Sequence, residues 1–378
     1  MSDQAPPTCL DDLEAAAFAA LPTDVWDFLS GGSGTELTLS ANRRALDAHY
    51  VVPRVLRDVS ACTTNASLLG RPVSMPVGVA PVAFHRLFHD EGEVATARAA
   101  KMAGVPMVLS TMSSTTIEDV VATGASVWLQ SYWLRDAARS YDLIERAEAA
   151  GCEAIVLTVD MPWMGRRLRD IRNRFALPDT IEAVNLGLGP SSVAHRSRAG
   201  ASALAEHTSV AFSAALTWSQ VDAIRERTRL PLLLKGVLDP EDAARGADHG
   251  VAAVIVSNHG GRQLDGTVAT LDVLEEVCQA VDDRCEVLVD GGIRTGTDIL
   301  KALALGASGV LVGRPAMWGL AVGGTDGVRQ MLDLLGTELR DALGLAGCET
   351  ASAARGLRTL TDRPRVSRRP HDTEGNPS

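Results

Sequence analysis

Basic residues are outnumbered in this chain: 36 Lys and Arg stand against 47 Asp and Glu, a formal net charge of −11 over 378 residues. A surface of that sign repels the phosphates of nucleic acids and anionic membranes, so neither is expected as a partner. An anionic small molecule is not excluded, because a few arginines inside a cleft set the local field. Aromatic residues are scarce at 4%, while Ala, Val, Leu and Gly abound, the composition of a parallel sheet wrapped by helices. The six cysteines (Cys9, Cys62, Cys152, Cys278, Cys285, Cys348) form no CxxC pair and no metal-ligand spacing. They read as reduced, partly buried thiols, and no metal is expected. No apolar run reaches the roughly 20 residues of a membrane span. Residues 1–10 lack the basic-then-apolar order of a signal peptide. A soluble, cytoplasmic protein is the expectation.

What the chain does have is rhythm. Apolar runs recur at 77–84, 105–111, 126–133, 153–160, 231–237, 251–258, 285–292 and 308–315. Helix-like segments follow most of them, as at 91–103, 115–123, 137–150, 218–228 and 297–305. Thr115-Thr116-Ile117-Glu118 and Thr217-Trp218-Ser219-Gln220 have capping-box spacing, and Asp239-Pro240 puts a cap before proline at the first helical position. Gly104, Gly124, Gly151 and Gly250 stand where helix C-caps belong. Eight strand–helix units in about 260 residues match a (β/α)8 TIM barrel. The competing architecture, a doubly wound open sheet, seldom runs to eight uninterrupted repeats, and its Gly-x-Gly-x-x-Gly fingerprint is missing at the first turn.

Three segments break the rhythm. Residues 1–76 are expected to form a helical extension packed on a barrel of residues 77–362, with one or two helices over 10–29 ending at Ser30-Gly31-Gly32-Ser33-Gly34. A long loop after the fourth strand, 161–216, reads as an active-site insertion. Residues 363–378 read as a disordered tail; their arginines suit a solvated terminus better than a nucleic-acid patch.

In a barrel the chemistry lies at the C-terminal strand ends. The sixth run opens into Ser257-Asn258-His259-Gly260-Gly261-Arg262-Gln263-Leu264-Asp265-Gly266, a histidine and an arginine three residues apart on a glycine-rich turn. Such a pairing suits proton abstraction, in which the histidine takes a proton from a substrate whose carboxylate the arginine holds. Lys235 closes an apolar strand, where it is costly to bury without an anionic partner. The loops after strands seven and eight, the usual phosphate site of this fold, offer Gly291, Gly292, Arg294, Gly313 and Arg314. Asp160 ends the fourth strand, where it could equally be a cap or part of a structural ion pair.

The ten-residue string and the order of these residues resemble the FMN-dependent 2-hydroxyacid oxidases and dehydrogenases, over roughly residues 10–360. The resemblance implies FMN as cofactor and His259 as base, with Asp160 as its partner. It implies that Arg167 and Arg262 clamp the substrate carboxylate and that Tyr132 hydrogen-bonds to the substrate. It places FMN against Pro81, Val82, Ala83, Ser110, Gln130, Thr158 and Lys235. The ribityl chain and phosphate would meet Asp290, Gly291, Gly292, Arg294, Gly313 and Arg314. The partners implied are a small 2-hydroxy acid and O2, within a homotetramer.

Two departures narrow the substrate. Phe28 stands where glycolate oxidase-like members have a substrate-binding tyrosine, and Met112 where they have a tryptophan. A lost hydroxyl and a flexible thioether make a roomier, less polar pocket. An aryl 2-hydroxy acid, mandelate or 4-hydroxymandelate, gains most from it; the alternative is that both residues are core packing. The product would be the 2-keto acid, with H2O2 formed from oxygen. A dehydrogenase using quinone or cytochrome shares the first half-reaction. No haem domain or apolar loop insertion favours it, and Ala83 in place of glycine leans towards oxidase. A non-redox flavin barrel, isomerase or scaffold, would have no use for both His259 and Arg262.

Overall fold

A computed structural model describes residues 6–186, 205, 208 and 210–362; the expected tail at 363–378 and most of 187–209 lie outside the described residues. Eight parallel strands close into a barrel: Val77–Val79, Met107–Ser110, Val127–Ser131, Ala154–Thr158, Leu232–Val237, Ala253–Val256, Glu286–Val289 and Gly309–Val312. The last pairs with the first, Val310 opposite Val77 and Val312 opposite Val79. The (β/α)8 architecture expected from the rhythm is therefore the one found. Parallel neighbours need crossovers, and helices such as Gly92–Ala103, Ala137–Ala150, Pro240–Asp248 and Gly296–Ala304 supply them.

Each strand is buried on both faces, so it reads as a continuous apolar run. Outward side chains meet the helices, while Val108, Trp128, Val156, Leu233, Ile255, Leu288 and Leu311 fill the interior. Leu68, from the short hairpin Ala66–Leu68 and Arg71–Val73, packs with that inner group. The hairpin was not foreseen, because its three-residue strands are too short to show a period of two.

Element ends also shift. The first run leaves the sheet after Val79, and the chain turns through Phe84 at φ 56°. Capping at helix Ile117–Val121 is by Thr116, whose hydroxyl accepts from the Asp119 amide, one residue later than the expected Thr115–Glu118 box. The Thr217–Gln220 box and the Asp239 cap form as expected.

Helices Leu10–Ala20, Thr23–Ser30 and Leu37–Ala48 precede the barrel, and His49–Val52 pairs antiparallel with Arg358–Thr361. The third helix is fastened to the barrel mouth by charge. Arg43 donates to both oxygens of buried Asp298 (2.6 and 2.9 Å) and to the Gly292 carbonyl (2.9 Å). Asp298 in turn accepts from the amides of Arg294 and Thr295. One arginine thus sets the Gly291–Thr295 turn against the N-terminal helices.

Arg43→Met should remove these charge-assisted bonds at a cost of about 2 kcal/mol. In a chain of this length that lowers the melting midpoint by about 2–3 °C. Differential scanning calorimetry checks it; an unchanged midpoint would show the tie to be idle.

Candidate active site

The strand ends on the C-terminal side surround a cavity of about 1070 Å³, its mouth included. Of the residues expected at the site, Phe28, Pro81, Val82, Ala83, Ser110, Met112, Tyr132, Arg167, Lys235, His259, Arg262, Asp290, Gly291, Gly292, Arg294, Gly313 and Arg314 line it. Gln130 and Thr158 lie buried outside the lining, joined to each other from Gln130 Nε2 to Thr158 Oγ1 at 3.0 Å. Asp160 also stands outside the lining, against His259.

His259 sits at φ 58°, a left-handed conformation uncommon for a residue with a side chain, where strained residues often mark function. Its Nδ1 lies 3.0 Å from Asp160 Oδ1. A carboxylate only accepts, so Nδ1 carries the proton and Nε2 is left with the lone pair. Burial lowers the imidazole pKa below its usual value; Asp160 opposes that shift, while Lys235 and Arg167 add to it. Burial pushes the Asp160 carboxyl up, but His259 and Lys235 outweigh it and hold the group below the ordinary carboxylate range. The pair is therefore a neutral imidazole on a fixed anion.

Lys235 reaches the same centre from below. Its ammonium donates to Ser257 Oγ at 2.8 Å and pairs with Asp290 at 3.1 Å. Ser257 Oγ also accepts the His259 amide at 3.0 Å, so one hydroxyl ties the lysine to the histidine turn. Behind that turn, Asn258 and Asn42 exchange side-chain hydrogen bonds of 2.7 and 2.8 Å. Neither Ser257 nor Asn42 was foreseen. Ser257 opens the His259 string but carries no chemical signal of its own, and Asn42 is more than 200 residues away from its partner.

Five cations line the cavity: Arg167, Arg262, Arg294, Arg314 and Lys235. Arg262 donates to the carbonyls of Phe28 and Gly31, both at 2.8 Å. Arg314 donates to the carbonyls of Leu29, Gly31 and Gly260. Dipoles, not carboxylates, thus hold both guanidinium groups. Burial and the neighbouring arginines push the Arg262 pKa well down and that of Arg314 to about 9. Burial likewise lowers Arg167 and Arg294. Such a group of charges is short of anions. Arg167 Nε, Asp160 Oδ2 and Asp290 Oδ1 are buried without a hydrogen-bond partner among the described residues, a rare condition in a finished site.

The remaining wall is apolar and comes from the insertion as much as from the barrel. Phe28 stacks on Phe175 (4.6 Å, 9°), and Tyr132 on Phe212 (4.5 Å, 29°). Met161 and Met164 join Met112 in the lining. The first described part of the insertion, 161–186, is stitched down along its length. Gly165 N–H donates to Gln263 Oε1, and Arg169 pairs with Asp27 and Glu36. Asn185 bonds Ser113, Thr115 and Ile117. Sequence reasoning missed Met161, Met164, Phe175 and Phe212, whose only signal was being apolar in a polar loop.

The sequence profile of the FMN-dependent dehydrogenases matches residues 17–358. The chain belongs to that family. It is 58% identical to the 4-hydroxymandelate oxidase of Amycolatopsis orientalis, over 93% of this chain and 97% of the other. It is 45% identical to the L-lactate oxidase of Nostoc sp. (90% and 95% covered) and 41% identical to human 2-hydroxyacid oxidase 1 (90% and 93%). The crystal structure of mandelate oxidase with (S)-4-hydroxymandelic acid superimposes with a TM-score of 0.92 at 57% identity, covering 94% of this chain and 99% of that one.

FMN is the cofactor of the family, and the cavity fits it. Two helices start at the corner where a phosphate would sit. Helix Gly296–Ala304 is sealed: Asp298 accepts from Arg294 and Thr295, and Glu338 from Gly296. Helix Arg314–Leu345 starts at Gly313 with no side-chain cap. Pro315 has no N–H and the Ala316 amide bonds the Gly313 carbonyl at 3.0 Å, so of the first turn the Arg314 amide and guanidinium remain to meet an anion. Gly291 and Gly292, at φ 100° and 88°, let the adjoining turn pack against Asn42 and Leu46, and both line the cavity.

A folded-state pKa below 6.5 means that His259 stabilises the fold fully above pH 6.5 and loses that contribution as pH falls. An imidazole ¹⁵N titration should place its midpoint below 6.5. Asp160→Asn, which removes the opposing anion, should lower it further. A midpoint at or above 6.5 would contradict the neutral assignment.

Proposed function

We propose that this chain oxidises an aryl 2-hydroxy acid, mandelate or 4-hydroxymandelate, to the 2-keto acid (4-hydroxybenzoylformate from the latter), with O2 reduced to H2O2. The observation that carries this reading is a neutral His259–Asp160 pair sharing one cavity with Arg167 and Arg262, which form no ion pair among the described residues. Arg167 and Arg262 receive the substrate carboxylate, and the unpaired Arg167 Nε is a donor ready for it. His259 Nε2 accepts the hydroxyl proton of the substrate, and Asp160 stabilises the resulting imidazolium. Tyr132 holds the hydroxyl or carboxylate; burial first, and then Asp160, raises its phenol well above the usual value, so it stays a donor.

FMN, when bound, would supply the acceptor for the two electrons and the second hydrogen that leave the substrate carbon, with O2 as the final acceptor that becomes H2O2. Pro81, Val82, Ala83, Ser110, Lys235 and Asp290 would hold its ring and ribityl chain, and Gly291, Gly292, Arg294, Gly313 and Arg314 its phosphate end. Gln130 and Thr158 would support the ring from behind Ser110, whose hydroxyl donates to Gln130 Oε1 at 3.3 Å.

The aryl preference rests on the wall. Phe28, Met112, Met161, Met164 and Phe212 offer the substrate side chain no hydrogen-bonding group beyond thioethers. Burying a phenyl group there returns roughly 1.5–3 kcal/mol, which a methyl cannot match. The family resemblance also supports a homotetramer, and six free cysteines suit the cytoplasm. Among the described residues no helix is long and apolar enough to cross a membrane.

Anaerobic mixing with 4-hydroxymandelate should bleach the yellow holoenzyme, and air should restore the colour with one H2O2 per turnover. Colour that returns only with a quinone or cytochrome identifies a dehydrogenase, and no bleaching at all sinks the redox reading. His259→Ala should slow the bleaching by about 10²–10⁴-fold while FMN stays bound.

Met112→Trp should overpack the wall by about 1–3 kcal/mol and slow 4-hydroxymandelate on the order of tenfold or more. Lactate should be little affected. Equal losses in kcat/KM for both substrates would return Met112 to the core.

A further inference from the structure

Gly236 stands at a break in the strand pairing where both the backbone conformation and the space beside it call for a glycine. It follows Lys235 in the strand Leu232–Val237, where the register against Ala253–Val256 slips between Lys235 and Val237. A bulge of this kind re-aims the side chains around it. The extra residue adopts φ 102°. A methyl group on Gly236 would stand 2.4 Å from Asp160 Cγ, 2.5 Å from its Cβ and 2.8 Å from its Oδ1. No carbon can approach that closely, so the space left by the missing side chain is the space the carboxylate fills.

Asp160 could not yield by sliding. Its carbonyl accepts from Gln263 Nε2 at 2.9 Å, and the preceding Val159 amide is bonded to the Lys235 carbonyl at 2.8 Å. Its Oδ1 meets His259 on the other side. Any atom added at Gly236 therefore rotates or pushes the carboxylate away from the imidazole.

We propose that Gly236 is a positioning residue: the bulge after Lys235 makes the seat that holds the Asp160 carboxylate against His259. Among the described residues the charged groups that act most on the imidazole are then the Asp160 carboxylate and the cations Lys235 and Arg167. The bulge serves two of them at once, since the residue before it carries the ammonium and the glycine itself is the seat. The link to turnover rests on the proposed oxidation. The link to the ionisation of His259 does not, and the two are measured separately.

Gly236→Ala in the holoenzyme should move the ¹⁵N titration midpoint of His259 down by about one unit, because the raising partner has been displaced. With 4-hydroxymandelate, kcat should fall by about 10²-fold while KM changes little. Gly70→Ala controls for backbone strain: φ there is 72°, yet nothing lies within 4 Å of the added methyl. It should leave both readouts unchanged. The clash itself is tested in the background of Asp160→Gly, which removes all three crowded atoms. There, adding Gly236→Ala should cause no further loss of FMN binding, kcat or midpoint. An unmoved midpoint in the single variant overturns the proposal. So does a loss of FMN binding, kcat or midpoint in the Asp160→Gly background as large as in the native one. A shifted midpoint in a protein that turns over no 2-hydroxy acid would support the seat while refuting the reaction.

Discussion

Desolvated positive charge is the constraint around which this structure is arranged. Burying a guanidinium or ammonium without an anion costs several kcal/mol, and this acidic chain directs five such groups at one cavity. Main-chain carbonyls of residues 28–31 and 260 hold Arg262 and Arg314, Asp290 meets Lys235, and Trp318 lies under Arg294 at 4.5 Å. Those arrangements explain why the turn after Thr23–Ser30 must reach the barrel mouth. They also explain why an anionic substrate and an anionic cofactor are at home in a protein whose outer surface repels them.

The same charges tune the base. Alone in an apolar pocket His259 would be neutral but unable to support a proton. Asp160 supplies that support, and Lys235 and Arg167 keep it from becoming permanent protonation. Opposed influences of this sort give a base that is free before the reaction and stabilised after it.

The barrel was legible because a parallel strand buried on both faces writes itself as an apolar run, and eight runs at even spacing leave little choice. The chemical residues were legible where they cluster in one string, as from Ser257 to Gly266, or end a strand, as Asp160 and Lys235 do. Outside that reach lay whatever depends on contacts across the chain: the Asn42–Asn258 pair, Arg43 on Asp298, Phe212 on Tyr132 and Phe175 on Phe28. The short hairpin at 66–73 and the one-residue shift of the Thr116 cap show the other limit. Local propensity does not distinguish neighbouring threonines, whereas packing does.

The tie between the N-terminal helices and the barrel mouth also bears on how the chain acquires its shape. Asn42 meets Asn258, Arg43 meets Asp298 and His49 pairs with Thr361, separations of 216, 255 and more than 300 residues. Residues 42–52 therefore find their places only when partners more than 200 residues further on have been made. Contacts so distant in sequence carry a large loop-closure entropy and place the molecule among the slow folders. Helix Thr23–Ser30 meets Phe175 midway along the chain, whereas the apolar face of Leu10–Ala20 stays uncovered until the helix from Arg314 has been made.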